Sequence, residues 1–244
     1  MKNEKLLVIN SISKTYIIKD FFKKRYKRAV SDVSFSVNRG EIVGILGLNG
    51  AGKTTIIKMI CGITKPDSGK IEFEGKEIRP FDIDYKKNIG YLGELPYFYP
   101  FFTAKQTLKF YGGLSNIDLD EEKIDSVLST VGILKYKEEK IKNFSKGMMQ
   151  KLAIATTLIH NPSFLIYDEP TSGLDPIAIR DIRNLLLFLK NEGKTILLSS
   201  HSISEVEKIC DRVIIIKEGK LSLIIEKEKW LDNNLEDIFV NYAV

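Results

Sequence analysis

An α/β fold with a mixed, mainly parallel sheet is predicted by three features of the 244-residue chain. Late runs at 164–167 (FLIY), 195–198 (TILL) and 213–216 (VIII) are almost wholly apolar, as strands buried on both faces of a parallel sheet should be. Helical periodicity lies between them, clearest at 177–190, where Ile179, Ile182, Leu185, Leu186 and Leu189 fall on one face. Strands alternating with helices in this way build parallel sheets through crossover connections. The early part of the chain instead carries short β-rich runs separated by turns, which predicts an N-terminal antiparallel β layer.

In order along the chain, strands are expected at 6–12 (LLVINSI), 33–37 (VSFSV), 42–46 (IVGIL), 70–74 (KIEFE) and 88–92 (NIGYL), with a helix opening soon after 42–46. From about 96 to 162 the strand signal disappears, and helices are expected at 103–112, 121–131 and 146–160. Two helix-breaking stretches, LPYFYP and HNP, bound this region. It reads as a helical subdomain, 96–162, inserted into a core formed by 1–95 and 163–225, with a C-terminal helix in 226–244. The whole, 1–244, is read as one domain, without internal repeat or low-complexity linker.

Apolar residues make up 43% of the chain and charged residues 28%, a globular balance. No run is long and apolar enough to span a bilayer, and the N-terminal apolar run is too short for a signal peptide, so a cytoplasmic protein is expected. Cys61 and Cys210 lack metal-ligand spacing and read as buried reduced thiols. The net charge of +5 sits in residues 19–28, KDFFKKRYKR, which hold six Lys/Arg and one Asp. The remainder is balanced, which argues against a broad nucleic-acid-binding face. The segment reads either as a solvated loop or as a contact with anionic lipid headgroups or a membrane partner, because Phe21, Phe22 and Tyr26 interleave with its cations.

Residues 47–54, GLNGAGKT, fit the phosphate-binding pattern G-x-x-x-x-G-K-[ST] between a predicted strand and the helix TTIIKMI. The stretch Gly47, Leu48, Asn49, Gly50, Ala51, Gly52, Lys53, Thr54, Thr55 is therefore assigned to binding the phosphates of a nucleotide, which kinases, GTPases, helicases and transport ATPases all share. The glycines let backbone N–H groups close around the β-phosphate, and the helix N-terminus adds positive potential. Lys53 supplies a charge between the β- and γ-phosphates, and the Thr54 hydroxyl is a Mg²⁺ ligand. A second site lies at FLIYDE, 164–169, where two carboxylates end a buried strand. Ligands bind at that end of open α/β sheets. Asp168 can hold Mg²⁺ through water, and Glu169 can take a proton from an attacking water.

The remaining motifs choose among P-loop NTPases. SKTY, GLNGAGKTT, IGYLGE, NFSKGMMQ, FLIYDEP, SGLD and LLSSH follow one another along the chain. In this order they resemble the nucleotide-binding subunit of ABC transporters over essentially the whole length. The resemblance implies that Tyr16 stacks on adenine, that IGYLGE is the Q-loop with Glu94 as a metal ligand, and that His201 is the switch histidine beside the γ-phosphate. It implies that Ser145, Lys146, Gly147 and Met148 form the signature motif contacting ATP bound by a second subunit, and that Ser172 and Asp175 of the D-loop lie between the two. The expected partners are a second nucleotide-binding subunit and a separate permease, at the cytoplasmic face of the membrane. SKGM and EPTSGLDP look most like bacterial exporter-type subunits.

Two departures from the family pattern stand out: Glu94 replaces the usual glutamine, and Lys146 and Met148 replace the glycine and glutamine of the signature. Two other functions fit a phosphate loop of this kind. A soluble ABC-type ATPase acting on ribosomes or DNA would often carry paired cassettes or coiled-coil arms, and a regulatory nucleotide-binding module would not need a base at Glu169.

Overall fold

The computed structural model describes residues 4–19, 24–79, 83–94, 96–231 and 234–243. The chain opens with a long hairpin, β1 (Lys5–Lys19) and β2 (Lys24–Asn38). Both strands outrun the predicted 6–12 and 33–37. Pairing continues through bulges to Tyr16 opposite Lys27, Ile17 opposite Tyr26 and Lys19 opposite Lys24. The loop reading of 19–28 is thereby corrected for Lys24–Arg28, which are strand. Backbone pairing needs no buried face, and Thr15, Tyr16, Ile17, Ile18 and Tyr26 all favour extension. Phe21 and Phe22 lie outside the described residues.

Next come β3 (Ile42–Leu46) and α1 (Lys53–Ile60), then β4 (Ser68–Phe73) and β5 (Lys76–Glu77), which complete an antiparallel sheet ordered β2-β1-β4-β5. A short α2 (Ile83–Lys86) leads into β6 (Ile89–Leu92). The region after residue 96 holds α3 (Ala104–Leu114), α4 (Glu121–Thr130), two 3-10 turns and α5 (Lys146–Leu158). Thr103 and Gln106 cap α3 reciprocally, and Asp120 caps α4, each meeting N–H groups a helix leaves unpaired.

The second sheet takes in β7 (Phe164–Asp168), β8 (Thr195–Ser200), β9 (Arg212–Lys217) and β10 (Lys220–Glu226), ordered β10-β9-β3-β8-β7-β6. Only β10 runs antiparallel. β3 and β6 thus leave the antiparallel layer expected of early strands. Every residue of β3 is buried, which suits a central parallel strand. Leu46 lies opposite Ser200, Asp168 opposite Ser199 and Leu92 opposite Tyr167. The carboxyl ends of β3, β6, β7 and β8 therefore align along one edge.

Alternation along the strands divides the interior between two faces. Val43, Ile45, Phe164 and Ile166 pack with α1 and the antiparallel sheet. Leu46, Leu165 and Tyr167 pack with α5, with α6 (Pro176–Asn191) and with α7 (Ile203–Ile209). The buried stripe of α6 is Ala178, Ile182, Leu185, Leu186 and Leu189; Ile179 is only half-buried. After β10 come two helices rather than one, α8 (Lys227–Leu231) and α9 (Leu235–Ala243), which seat Trp230 and Phe239 in the same interior. Cys61 and Cys210 are free and buried, and burial pushes both thiols up, away from reactivity. No helix among the described residues is long and apolar enough to cross a membrane.

Candidate nucleotide-binding and hydrolysis site

The phosphate loop leaves β3 and enters α1 at Lys53. Gly52 is the N-cap, at φ +109°, and no side chain caps the helix, so its first N–H groups face outward for an anion. Any Cβ at Gly52 would stand 2.5 Å from the Ala29 carbonyl oxygen, and one at Gly47 would stand 2.5 Å from that of Ile216. The loop is thus wedged between β2 and β9 at positions only glycine fits. Lys53 is buried, and its Nζ donates to the Gly47 carbonyl at 2.7 Å and to that of Leu48 at 3.4 Å.

Asp168 is buried at the end of β7, where Ser199 Oγ donates to its Oδ1 at 2.5 Å. The same hydroxyl accepts from the backbone N–H of Glu169 at 2.9 Å, so one serine ties both acids to β8. Glu169 has φ +52°, left-handed for a non-glycine residue. Such a conformation costs about 1 kcal/mol or more and is retained where the surroundings enforce it. Its Oε2 lies 2.8 Å from His201 Nδ1 and accepts the His201 backbone N–H at 3.3 Å, while Oε1 is 3.5 Å from Lys53 Nζ. The carboxylate accepts the Nδ1 proton, which leaves Nε2 of the half-exposed His201 ring for another partner.

These groups border a cleft of about 450 Å³. Tyr16, Asn49, Gly50, Ala51, Gly52, Lys53, Thr54, Thr55, Glu94, Glu169, Ser172 and His201, all expected from the sequence, line it together. Gly47, Leu48 and Asp168 do not line it: the Gly47 and Leu48 carbonyls accept from Lys53, and Asp168 shares the Ser199 hydroxyl with the Glu169 N–H. Lys27 and Ala29 also line the cleft, and sequence reading missed both because 24–28 did not read as strand. Thr54, Glu94 and Asp168 offer the hard oxygen donors that Mg²⁺ prefers. Among the described residues no three acidic, His or Cys side chains form a metal cage.

The signature residues lie apart from this cleft. Ser145 is the N-cap of α5, its Oγ accepting from the Met148 N–H at 3.2 Å. Gly147 has a packing reason: a Cβ there would stand 2.8 Å from the Cβ of Ala178 on α6. Met148 packs its side chain against the interior, whereas Lys146 is exposed. Asp175 caps α6 by accepting the Ile177 and Ala178 N–H groups, both at 3.0 Å. Ser145, Gly147, Met148 and Asp175 line a second concavity of about 400 Å³ that shares no lining residue with the first. Two links join them: the D-loop, with Ser172 in the cleft and Asp175 in the concavity, and Gln150 of α5, whose Nε2 donates to the buried Pro170 carbonyl at 2.8 Å.

Residues 30–172 match the family model for the ABC transporter domain. Over 202 residues the chain is 42% identical to the ABC transporter ATP-binding protein NatA of Bacillus subtilis, covering 82% of each protein. It is 40% identical over 221 residues to the lantibiotic transport ATP-binding protein SrtF of Streptococcus pyogenes, covering 90% of this chain and 93% of SrtF. The structure of cbiO1 from Clostridium perfringens, described as part of the ABC transporter complex cbiONQ, aligns with a TM-score of 0.81 at 29% identity. That alignment covers 98% of this chain and 96% of cbiO1.

Proposed function

The chain belongs to the ABC transporter family, as an ATP-binding subunit with ATPase activity, and from that premise we propose that two copies, or one copy and a similar subunit, form an ATP-driven clamp powering export through a separate permease. One observation carries this reading: the phosphate loop and the signature helix border concavities with no lining residue in common. Ser145 and the start of α5 therefore have no nucleotide in their own chain's cleft to meet, and a partner's γ-phosphate gives them one.

Within the cleft, the Tyr16 ring stacks on adenine, while Lys53 and the N–H groups opening α1 hold the β- and γ-phosphates. Thr54, Glu94 and, through water, Asp168 would hold Mg²⁺, which would supply charge neutralisation to the phosphates when bound. Glu169 accepts a proton from the attacking water as that oxygen bonds to the γ-phosphorus and the bond to the β–γ bridging oxygen breaks, leaving ADP and phosphate. His201, held at Nδ1 by Glu169, presents Nε2 to the γ-phosphate. The D-loop and Gln150 carry movement between the cleft and the signature surface.

Glu94 adds a negative charge where the family usually has a neutral amide. Glu94→Gln is expected to raise the Mg²⁺ concentration for half-maximal ATP turnover by roughly tenfold, the equivalent of about 1.4 kcal/mol. Mg²⁺ titrations at several pH values check this, and superimposable profiles would remove Glu94 from the metal site.

A membrane partner is supported by aromatic surface just after Glu94. Tyr97 is 76% and Phe101 73% exposed, with Tyr99, Phe110 and Leu114 also open to solvent. Tyr99 packs against both Tyr97 and Phe110, and exposed apolar residues grouped in this way fit a protein contact better than water. We extend the proposal to the strand segment Lys24, Arg25 and Tyr26, whose exposed cations and ring would suit anionic headgroups. Affinity purification from native membranes in mild detergent is expected to retain a multi-spanning protein. Tyr97→Glu with Phe101→Glu should release it without lowering basal turnover of the isolated subunit. Isolation without any membrane protein would contradict the transport role.

A further inference from the structure

Lys27 lies in the nucleotide cleft, where sequence motifs gave it no part. Pairing of β1 with β2 sets it directly opposite Tyr16, and residues directly opposite on paired strands share a face. Both line the cleft, whereas the next rung, Ile17 and Tyr26, belongs to the other face. Two residues on, Ala29 lines the cleft as well, and its carbonyl is the group that leaves no room for a Cβ at Gly52. The strand is tied to the loop a second way: Gly219 donates to the Ala51 carbonyl at 2.8 Å and accepts from the Ser31 N–H at 2.7 Å. Lys27 is therefore held on the cleft wall opposite Tyr16, two residues along the strand from the point where Ala29 abuts the glycine loop. Its side chain is exposed and makes no hydrogen bond or ion pair with another described residue.

A nucleotide with its base on Tyr16 and its β-phosphate in the loop must lay its ribose and α-phosphate across the space between them. We propose that Lys27 is a nucleotide-binding residue whose ammonium contacts the α-phosphate, from the wall facing the phosphate loop. This rests on the assignment of the cleft to ATP. The loop grips the β- and γ-phosphates, so Lys27 would strengthen ATP and ADP alike and add nothing to the discrimination between them.

Calorimetric titration with ATP and with ADP, using Lys27→Ala, Lys27→Glu and Lys27→Arg, tests it without any need for turnover. Lys27→Ala should weaken both nucleotides by the same factor, about fivefold, as expected of one partly exposed charge contact. Lys27→Glu should weaken both further, Lys27→Arg should stay within about twofold of the parent, and none should change the melting temperature of the nucleotide-free protein. Affinities of the Ala and Glu variants within about twofold of the parent overturn the proposal, as does a loss confined to ATP. A parent chain that binds neither nucleotide overturns the ATP assignment together with it; a parent that binds both while the variants match it overturns only the role of Lys27.

Discussion

Replacement of Glu169 by glutamine is expected to lower ATP turnover by about 10²- to 10⁴-fold while nucleotide affinity changes only a few-fold. Glutamine matches glutamate in size, and its amide oxygen can still accept from the His201 backbone N–H and Nδ1. It inherits the same backbone at φ +52°, so no new strain enters. What disappears is the proton acceptor and the negative charge 3.5 Å from Lys53. Phosphate release under saturating ATP and Mg²⁺, beside the melting temperature of both proteins, measures the effect. Turnover within about tenfold of the parent would remove Glu169 from its role as base.

Lys53→Ala acts earlier, on binding. The buried ammonium donates to the Gly47 and Leu48 carbonyls and is the full positive charge at the centre of the loop. Its loss removes a charge-assisted contact to phosphate and leaves the loop carbonyls without that donor. ATP affinity should fall by about a hundredfold, with turnover lost in proportion at sub-saturating ATP. Titration with ATP at low and high concentration checks it. A variant that keeps parental affinity would mean that the backbone N–H groups alone hold the phosphates.

Much of the cleft was legible in the sequence because its chemistry is local. The glycines, Lys53 and Thr54 are consecutive or nearly so, and Asp168 and Glu169 end an apolar run that can only be a buried strand. What escaped was set by pairing between distant strands. Ser199 bridges Asp168 and Glu169 because β7 and β8 run side by side in that register. Lys27 faces the cleft because β2 continues past the point where its apolar alternation ends. The pairing of β3 with β8 and β9, and of β6 with β7, is equally hidden in sequence, because a strand's own composition does not name its neighbours. In sequence the signature glycine is only a motif position; its packing reason, contact with Ala178, depends on the approach of α5 to α6. Met148 reads as a lost polar contact in sequence yet fills space against the interior, while the exposed Lys146 has no structural explanation.

In the proposed clamp, ATP in one chain's cleft is completed by another chain's signature helix. Light scattering on the Glu169→Gln protein, with and without ATP and Mg²⁺, tests it most directly, because blocked hydrolysis holds the closed state. The mass should rise with ATP from that of one chain, 27.8 kDa, to twice that value. Adding Ser145→Arg, which fills the exposed start of α5, should keep the protein monomeric while each chain still binds ATP. A Glu169→Gln protein that remains one chain in mass at saturating ATP, or a dimer indifferent to both ATP and Ser145→Arg, would contradict the account.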